Sequence, residues 1–576
     1  MKNKIFTTLI TLFFFLGSYA QETFNVPPDS ALNEFIANNK AESGLSTYVL
    51  ARDGYYILTG SMNFSGDIAI VAEEGDGARP IVIMGTNDEG ASAGWGMLWT
   101  DGSIYYEGIN WKVTNVSGAR GPWSSALFST SGSNITIEMI DCIVEYSDGV
   151  SVWNESGTGV TLIMRDNLFR LNGFPEGGPW QGFGSLLKNG SLEMAIIENN
   201  TFVENYSCLF IHENGHIKNA FFNHNTIVSN GQGALRYMYA DRAVCMNNLF
   251  VDAHFGGETP QAITGQDQED LPMGVYGLDY YRSGDTVKPA GYPAEEDRIN
   301  VVAYNANYVS PELKTYWESQ VDTFLVADFT KGDNGFLNDR AMKMMKSEGD
   351  FNYPMFEWDD NLSIFTADPQ FTDYTVKVQD EIEISEHLNG FDSVVPETVK
   401  WGTYPKDDGN ASFPLAWDYY SFSYSNADYQ KAAHGGYPLG DLNWFPDQKA
   451  LWEVDPEKEN YDDIIADVMA DETFEFVDWA NKVGINDRRN SQIISAGVYP
   501  NPAEGVANLN INLKNNASVN MAVYNVFGQE VMHIIDQKLT AGNHTINFDV
   551  TALPAGTYIY KVTVGNDILA NRFVVK

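Results

Sequence analysis

From about residue 141 to 250 the chain sets short apolar runs between polar bends, and one bend phrase recurs. Its copies are Asp166-Asn167-Leu168-Phe169, Asn199-Asn200-Thr201-Phe202, His224-Asn225-Thr226-Ile227 and Asn247-Asn248-Leu249-Phe250. The shared Asn returns after 33, 25 and 23 residues, and Asp141-Cys142-Ile143-Val144 reads as an earlier rung with Cys142 in the Asn place. Repeats of this length predict a solenoid, because one unit is too short to bury a hydrophobic face alone and must share a core with its neighbours. Within a unit, Ile196 to Asn205 reads as strand, bend, strand, turn, without helical periodicity.

The pattern changes toward the C-terminus. Asn508 to Leu513 alternates strictly, and further strands are expected in Val519–Val526, Thr545–Val550 and Thr557–Val564, separated by Gly528, Gly542 and the Leu553-Pro554-Ala555-Gly556 turn. The plain reading is a small antiparallel sandwich. Two helices are predicted between the regions. One runs from Pro311 to Gln320 with Ser310 as N-cap, and one from Asn338, itself an N-cap, to Lys346.

On the repeated Asn bends, the stretch from about Phe24 to His254 resembles the right-handed parallel β-helix of the pectin-lyase-like superfamily. The resemblance implies that Asn167, Asn200, Asn225 and Asn248 form an interior amide ladder. At the other end, Tyr499-Pro-Asn-Pro502, Tyr524-Asn-Val-Phe-Gly-Gln-Glu-Val531, Leu553-Pro-Ala-Gly-Thr-Tyr-Ile-Tyr560 and Arg572-Phe-Val-Val-Lys576 together resemble the C-terminal sorting domain of the Bacteroidetes type IX secretion system. That likeness implies an address read by export machinery rather than substrate chemistry. The phrases Ala367 to Phe371 and Gly435 to Pro446 look like segments near the end of other secreted Bacteroidetes β-helix proteins.

The expected fold is therefore all-β, a right-handed parallel β-helix followed by a small C-terminal Ig-like β-sandwich. Lys2 and Lys4 before the apolar run Ile5–Leu16, with Ser18-Tyr19-Ala20 after it, predict a cleaved signal peptide over 1–20. The body is expected over 21–446, with its last turns decorated and capped, then an acidic linker over 447–490 and the sorting domain over 491–576. No later segment offers about 18 consecutive apolar residues, so a soluble exported protein at the cell surface or beyond is expected.

Charge narrows the partner. With 77 Asp plus Glu against 35 Lys plus Arg, the formal net charge is −42, which argues against nucleic acid, since phosphate binding needs a basic footprint. An acidic glycan would need a local basic patch or bridging calcium. Surface acidity that keeps an extracellular protein soluble is the plainer reading. Cys142, Cys208 and Cys245 are too few for a disulfide framework and are expected as buried thiols.

In the resembled superfamily the ligand groove lies along the strands that follow the ladder strand. Alternation sends every second side chain outward there, so Trp153, Lys188, His212 and Arg236 or Tyr237 are expected to form one exposed row that engages extracellular polysaccharide. If that groove cleaves, the resemblance implies β-elimination by a polysaccharide lyase. Lys188, Arg236 or Arg242 would be the base, and His212 or Tyr239 the proton donor. Trp180, on the Gly- and Pro-rich segment 172–182, would act as a flap. Each residue also has a bland reading. Arg236 and Arg242 would pair with Asp241 or Glu213, Lys188 would be a solvated turn lysine, and His212 a turn histidine. Hydrolysis ranks below elimination because Asp241 and Asp252 are single and Asp166 adjoins a ladder Asn. A non-catalytic adhesin or structural surface protein is the other class. No zinc pattern, phosphate loop, serine elbow or dinucleotide fingerprint is present.

Overall fold

The computed structural model describes residues 21–94, 96–116, 127–147, 151–154, 156–172, 190–206, 209–211, 216–237, 240–257, 274–278, 294–319, 333–388, 421–454, 493–499, 503, 505–513, 515–525, 530–564 and 567–576. They form two units, residues 1–454 and 455–576.

The first unit is a parallel β-helix whose coils present three faces. The first face is an 11-stranded sheet running from Gln21–Val26 to Phe356–Glu357, and the second a 10-stranded sheet from Tyr55–Leu58 to Ile364–Phe365. The third face is described in two stretches. Met62–Phe64, Leu98–Thr100, Phe128–Thr130 and Val152–Asn154 make one, and Phe210–Ile211, Leu235–Tyr237 and Tyr276–Leu278 the other. All these pairings are parallel, so residues in like positions stack coil on coil about 4.8 Å apart. On the second face Trp111, Val144, Phe169, Phe202, Ile227 and Phe250 form one such column in the core.

The amide ladder stands where the sequence places it, at the bend between first and second faces. Each Asn side-chain oxygen accepts the backbone N–H of the previous rung, from Cys142 to Asn167 (2.9 Å), Asn167 to Asn200 (3.0 Å), Asn200 to Asn225 (3.1 Å) and Asn225 to Asn248 (2.9 Å). Each amide nitrogen bonds the next Asn oxygen and a strand carbonyl, as Asn225 Nδ2 does to Asn248 (3.0 Å) and Ile197 O (2.8 Å). Buried backbone donors are thereby satisfied at a bend that no regular ladder can serve. Asn305 adds a further rung, accepting from Asn248 N at 3.0 Å. Sequence reading passes over it because 57 residues separate it from Asn248. The residue before each rung, Asp141, Asp166, Asn199, His224, Asn247 or Tyr304, has positive φ, a conformation Asp and Asn tolerate best. Cys142 and Cys245 are free and buried as expected, and burial pushes the Cys142 thiol up to about 12. Cys208 lies outside the described residues.

Both predicted helices form, over Pro311–Ser319 and Asp339–Met345, and the Asn338 side chain caps the latter by accepting Ala341 N–H at 2.7 Å. Helix Leu32–Asn38 buries Leu32 and Ile36 in the solenoid core at its N-terminal end, and Met344 and Met345 join that core near the other end. The C-terminal part of the body does more than cap. Its segment near 434–454 lies across the second face. There Asp441 accepts the Thr201 hydroxyl at 2.7 Å, Gly440 N–H bonds Asn247 O at 2.7 Å, and Lys449 pairs with Asp166. Helix Pro446–Val454, with Trp452 buried, thus belongs to the body. The expected linker start at 447 moves beyond 454, because Lys449 and Trp452 hold this helix on the coils.

Among the described residues of the second unit, seven strands form two antiparallel sheets. Ile493–Tyr499, Val506–Leu513 and Gly542–Asp549 make one, and Ala517–Asn525, Glu530–Leu539, Gly556–Val564 and Asp567–Val575 the other. They enclose their own core of Leu509, Ile511, Met521, Val523, Tyr560 and Phe573 among others.

Candidate functional site

On the first stretch of the third face each strand has three residues, so its outer two point into the coil and its middle one points out. Register brings Asn63, Trp99, Ser129 and Trp153 into one row. Their neighbours Met62, Leu98, Phe128 and Val152 are core residues. Trp99 is 39% exposed and Trp153 partly exposed, while Ser129 is buried. The two indoles stand two coils apart, about 10 Å, with the small Ser129 between them.

A repeated turn fixes this row. In three of the four strands the side chain of the last residue accepts the N–H of a following glycine: Thr100 from Gly102 (3.1 Å), Thr130 from Gly132 (3.0 Å) and Asn154 from Gly157 (2.8 Å). At these corners the coils approach so closely that only glycine fits. A Cβ on Gly102 would lie 2.1 Å from Gly66 O, and one on Gly157 2.1 Å from Gly132 O. Beside the row, Asp101 accepts Gly66 N–H at 2.8 Å, and that bond holds its carboxyl below the ordinary value.

Of the residues expected in the groove, Trp153 stands in this row. Arg236 and Tyr237 are on the second stretch of the third face. Arg236 is in register with Ile211 and Gly277, and Tyr237 with the buried Leu278. Arg242 does not belong to that face. The chain has turned by Ala240, and Arg242 pairs with Asn219 and Ile299 in the first sheet. Asp241, offered as an arginine partner, meets His216 at 2.9 Å instead, and burial raises its carboxyl. Lys188, His212, Tyr239 and Trp180 lie outside the described residues.

Trp99 is the residue the sequence reading missed. Its signal was present, since Leu98-Trp99-Thr100 repeats the in-out-in pattern of Val152-Trp153-Asn154, but it precedes the first recognised rung, at Cys142. Also missed was an ion triad on the second face, where stacked Lys112, Glu145 and Arg170 meet at 2.7 and 2.9 Å. Burial opposes the Glu145 charge, but Arg170 and Lys112 outweigh it and hold the carboxyl below its usual range. At 1% exposure or less the triad cannot reach a ligand and acts to tie three coils in register. Among the described residues, no group of three or more His, Cys, Asp or Glu is placed to hold a metal, and no helix is long and apolar enough to cross a membrane.

Comparison with known proteins adds little for the solenoid and much for the C-terminal unit. No curated protein matches the chain. One solved structure that matches is Pseudomonas fluorescens alkylpurine DNA glycosylase AlkC bound to DNA containing an abasic site analog, at 14% identity. The match covers 24% of this chain and 45% of that one with a TM-score of 0.12, a likeness too slight to carry any argument. Residues 497–576, in contrast, match the secretion system C-terminal sorting domain, so the chain carries a type IX sorting signal and is addressed to the cell surface or beyond.

Proposed function

We propose that this is an exported polysaccharide-binding protein whose third face, at its N-terminal coils, seats a neutral glycan along the solenoid axis. The observation that carries the reading is the register of Trp99 and Trp153. Two indoles on one rigid sheet, spaced by about the length of a disaccharide with a small residue between them, offer stacking platforms to successive sugar rings. Neutral glycan is favoured over acidic by the net charge of −42 and by a row holding Asn63 and Ser129 with Asp101 beside it. Binding is favoured over cleavage because none of Asn63, Trp99, Ser129 and Trp153 can serve as the base that elimination requires. The first twenty residues act as the export leader, and the acidic segment after 454 spaces the sorting domain from the body.

Affinity electrophoresis of the full chain against neutral, pectic and alginate polysaccharides, with and without calcium, tests this. Retardation by a neutral glycan, weakened in Trp99→Ala and Trp153→Ala, is the expected result. Release of unsaturated ends would replace binding by lyase activity, and retention of both variants would remove the row. Deleting residues 498–576 should leave the body folded but undelivered, and normal surface delivery of that truncation would refute the export reading.

A further inference from the structure

The bend between the second and third faces carries a polar column of its own. Glu204, Ser229 and Asp252 occupy the same left-handed position on successive coils, with φ of 53°, 55° and 48°. All are buried, because two helices and the segment before one of them lie on this bend. Ser310, which precedes helix Pro311–Ser319, gives Asp252 its backbone N–H at 2.7 Å and its hydroxyl at 2.5 Å. Lys377 reaches Glu204 at 2.7 Å and the Tyr374 hydroxyl reaches the same carboxylate at 3.2 Å. Helix Val378–Leu388 then brings Glu381, fully buried, against Asp252 and Ser229.

The chemistry of that contact is incomplete if both acids are ionised. Among the described residues the Glu381 carboxyl meets no backbone N–H and no cation: its polar neighbours are the Ser229 hydroxyl and the Asp252 carboxyl, and both other donors to Asp252 come from Ser310. Two adjacent buried carboxylates repel and forfeit hydration, so such a pair persists when one member is neutral. We propose that Asp252 and Glu381 share one proton, Glu381 as the acid and Asp252 as the acceptor, and that this proton latches helix Val378–Leu388 onto the solenoid. Burial raises both groups in agreement with the geometry, Asp252 to about 6 and Glu381 well above its ordinary value. The other charged and titratable groups facing the pair are Glu204 and Glu312, whose negative charge would deepen the cost of a second carboxylate, the Tyr308 phenol, which burial pushes up to about 12 and keeps neutral, and Lys377 and Tyr374, which are engaged with Glu204. Ile384 in the core and the Ser385 hydroxyl on Phe255 O at 2.9 Å anchor the same helix without titrating.

The latch has a definite sign. The docked helix holds a proton that a solvated Glu, with a pKa of about 4.3, has already lost, so docking is strongest in acid. Above pH 6 the opening equilibrium should rise about tenfold for each pH unit until Glu381 itself ionises. Hydrogen exchange of the full chain, read on the amides of 382–388 between pH 6.5 and 9 and corrected for intrinsic rates, measures this. The expected result is protection that falls about tenfold per unit in the wild type and is flat in Glu381→Gln, whose amide can donate to Asp252 at any pH. Asp252→Asn should flatten it too, which keeps the test decisive if one variant folds poorly. A flat wild-type profile overturns the proposal, as does an unchanged slope in a folded variant. Protection lost on chelation and restored by calcium would overturn it as well, by assigning the pair to a metal.

Discussion

Two stretches of the solenoid differ in cover: on the coils of Thr201 and Thr226 the second face is covered, whereas on the earlier coils of Met62 to Asn154 the third face presents Trp99 to solvent. On the second face the outward Thr201 and Thr226 are sealed under Gly440 to Trp444. Asp441 N–H bonds Thr226 Oγ1 at 2.8 Å and the Trp444 indole N–H bonds Thr201 Oγ1 at 2.7 Å. The cover is gripped from the flanking bend, where the polar residues at left-handed positions, Asp166, Asn199, His224 and Asn247, bond to Asn443, Leu442, Gly440 and His434. On the third face of the earlier coils, the corner after the strands is pinched at Gly102, Gly132 and Gly157, where a side chain would meet the neighbouring coil. The difference lies in bend chemistry: a column of polar left-handed residues here holds a cover, while at the glycine corners the close approach of the coils leaves no room for such side chains.

The largest test acts on both faces at once. Asn225→Leu removes a rung from the shared ladder and orphans partners at Asn200 and Ile197, at about 1–3 kcal/mol for each buried group left unpaired. A strongly lowered melting temperature is expected, and an unchanged one would remove the ladder from the account of either face. Gly440→Ala acts on the covered face alone. It would put a Cβ 2.4 Å from Thr226 Oγ1 at a residue with φ of +81°. Lifting of residues 434–449, seen as new proteolytic cleavage there, and a loss of about 1–3 kcal/mol are expected. Trp99→Ala and Trp153→Ala address the open face. Each should weaken glycan binding about tenfold through lost stacking, while Trp99→Ala shifts stability by no more than about 0.5 kcal/mol because its ring is not in the core. Smallest should be Lys449→Met, which leaves Asp166, 27% exposed, to solvent and costs about 1 kcal/mol or less in a denaturant melt.

Legibility followed range along the chain. The ladder was readable at Asn167, Asn200, Asn225 and Asn248 because consecutive coils repeat a local phrase. Asn305 was not, because an insertion broke the interval. The helix beginning at Asn338 was readable because a cap is a local event. Trp153 was singled out and Trp99 passed over because the coil of Trp153 carries the recognised bend Asp141-Cys142, whereas the coil of Trp99 carries Pro80 in the Asn place. The face that Arg242 occupies was not legible from sequence, since it depends on where the chain turns, here by Ala240. The ion triad of Lys112, Glu145 and Arg170 could not be paired from sequence, because its members lie 25 or more residues apart and meet only through strand register.

By itself the sequence determined the repeat, the class of fold, the ladder residues and the sorting signal, since each rests on short patterns whose physics is local: period-two alternation, a bend amide, a cap, a turn. Only the tertiary structure decided which residues share a face, that residues 434–454 cover one side and leave another open, and that Glu381 meets Asp252. Those outcomes depend on stacking register and on contacts across more than a hundred residues, where nothing in the intervening chain records the distance that folding removes.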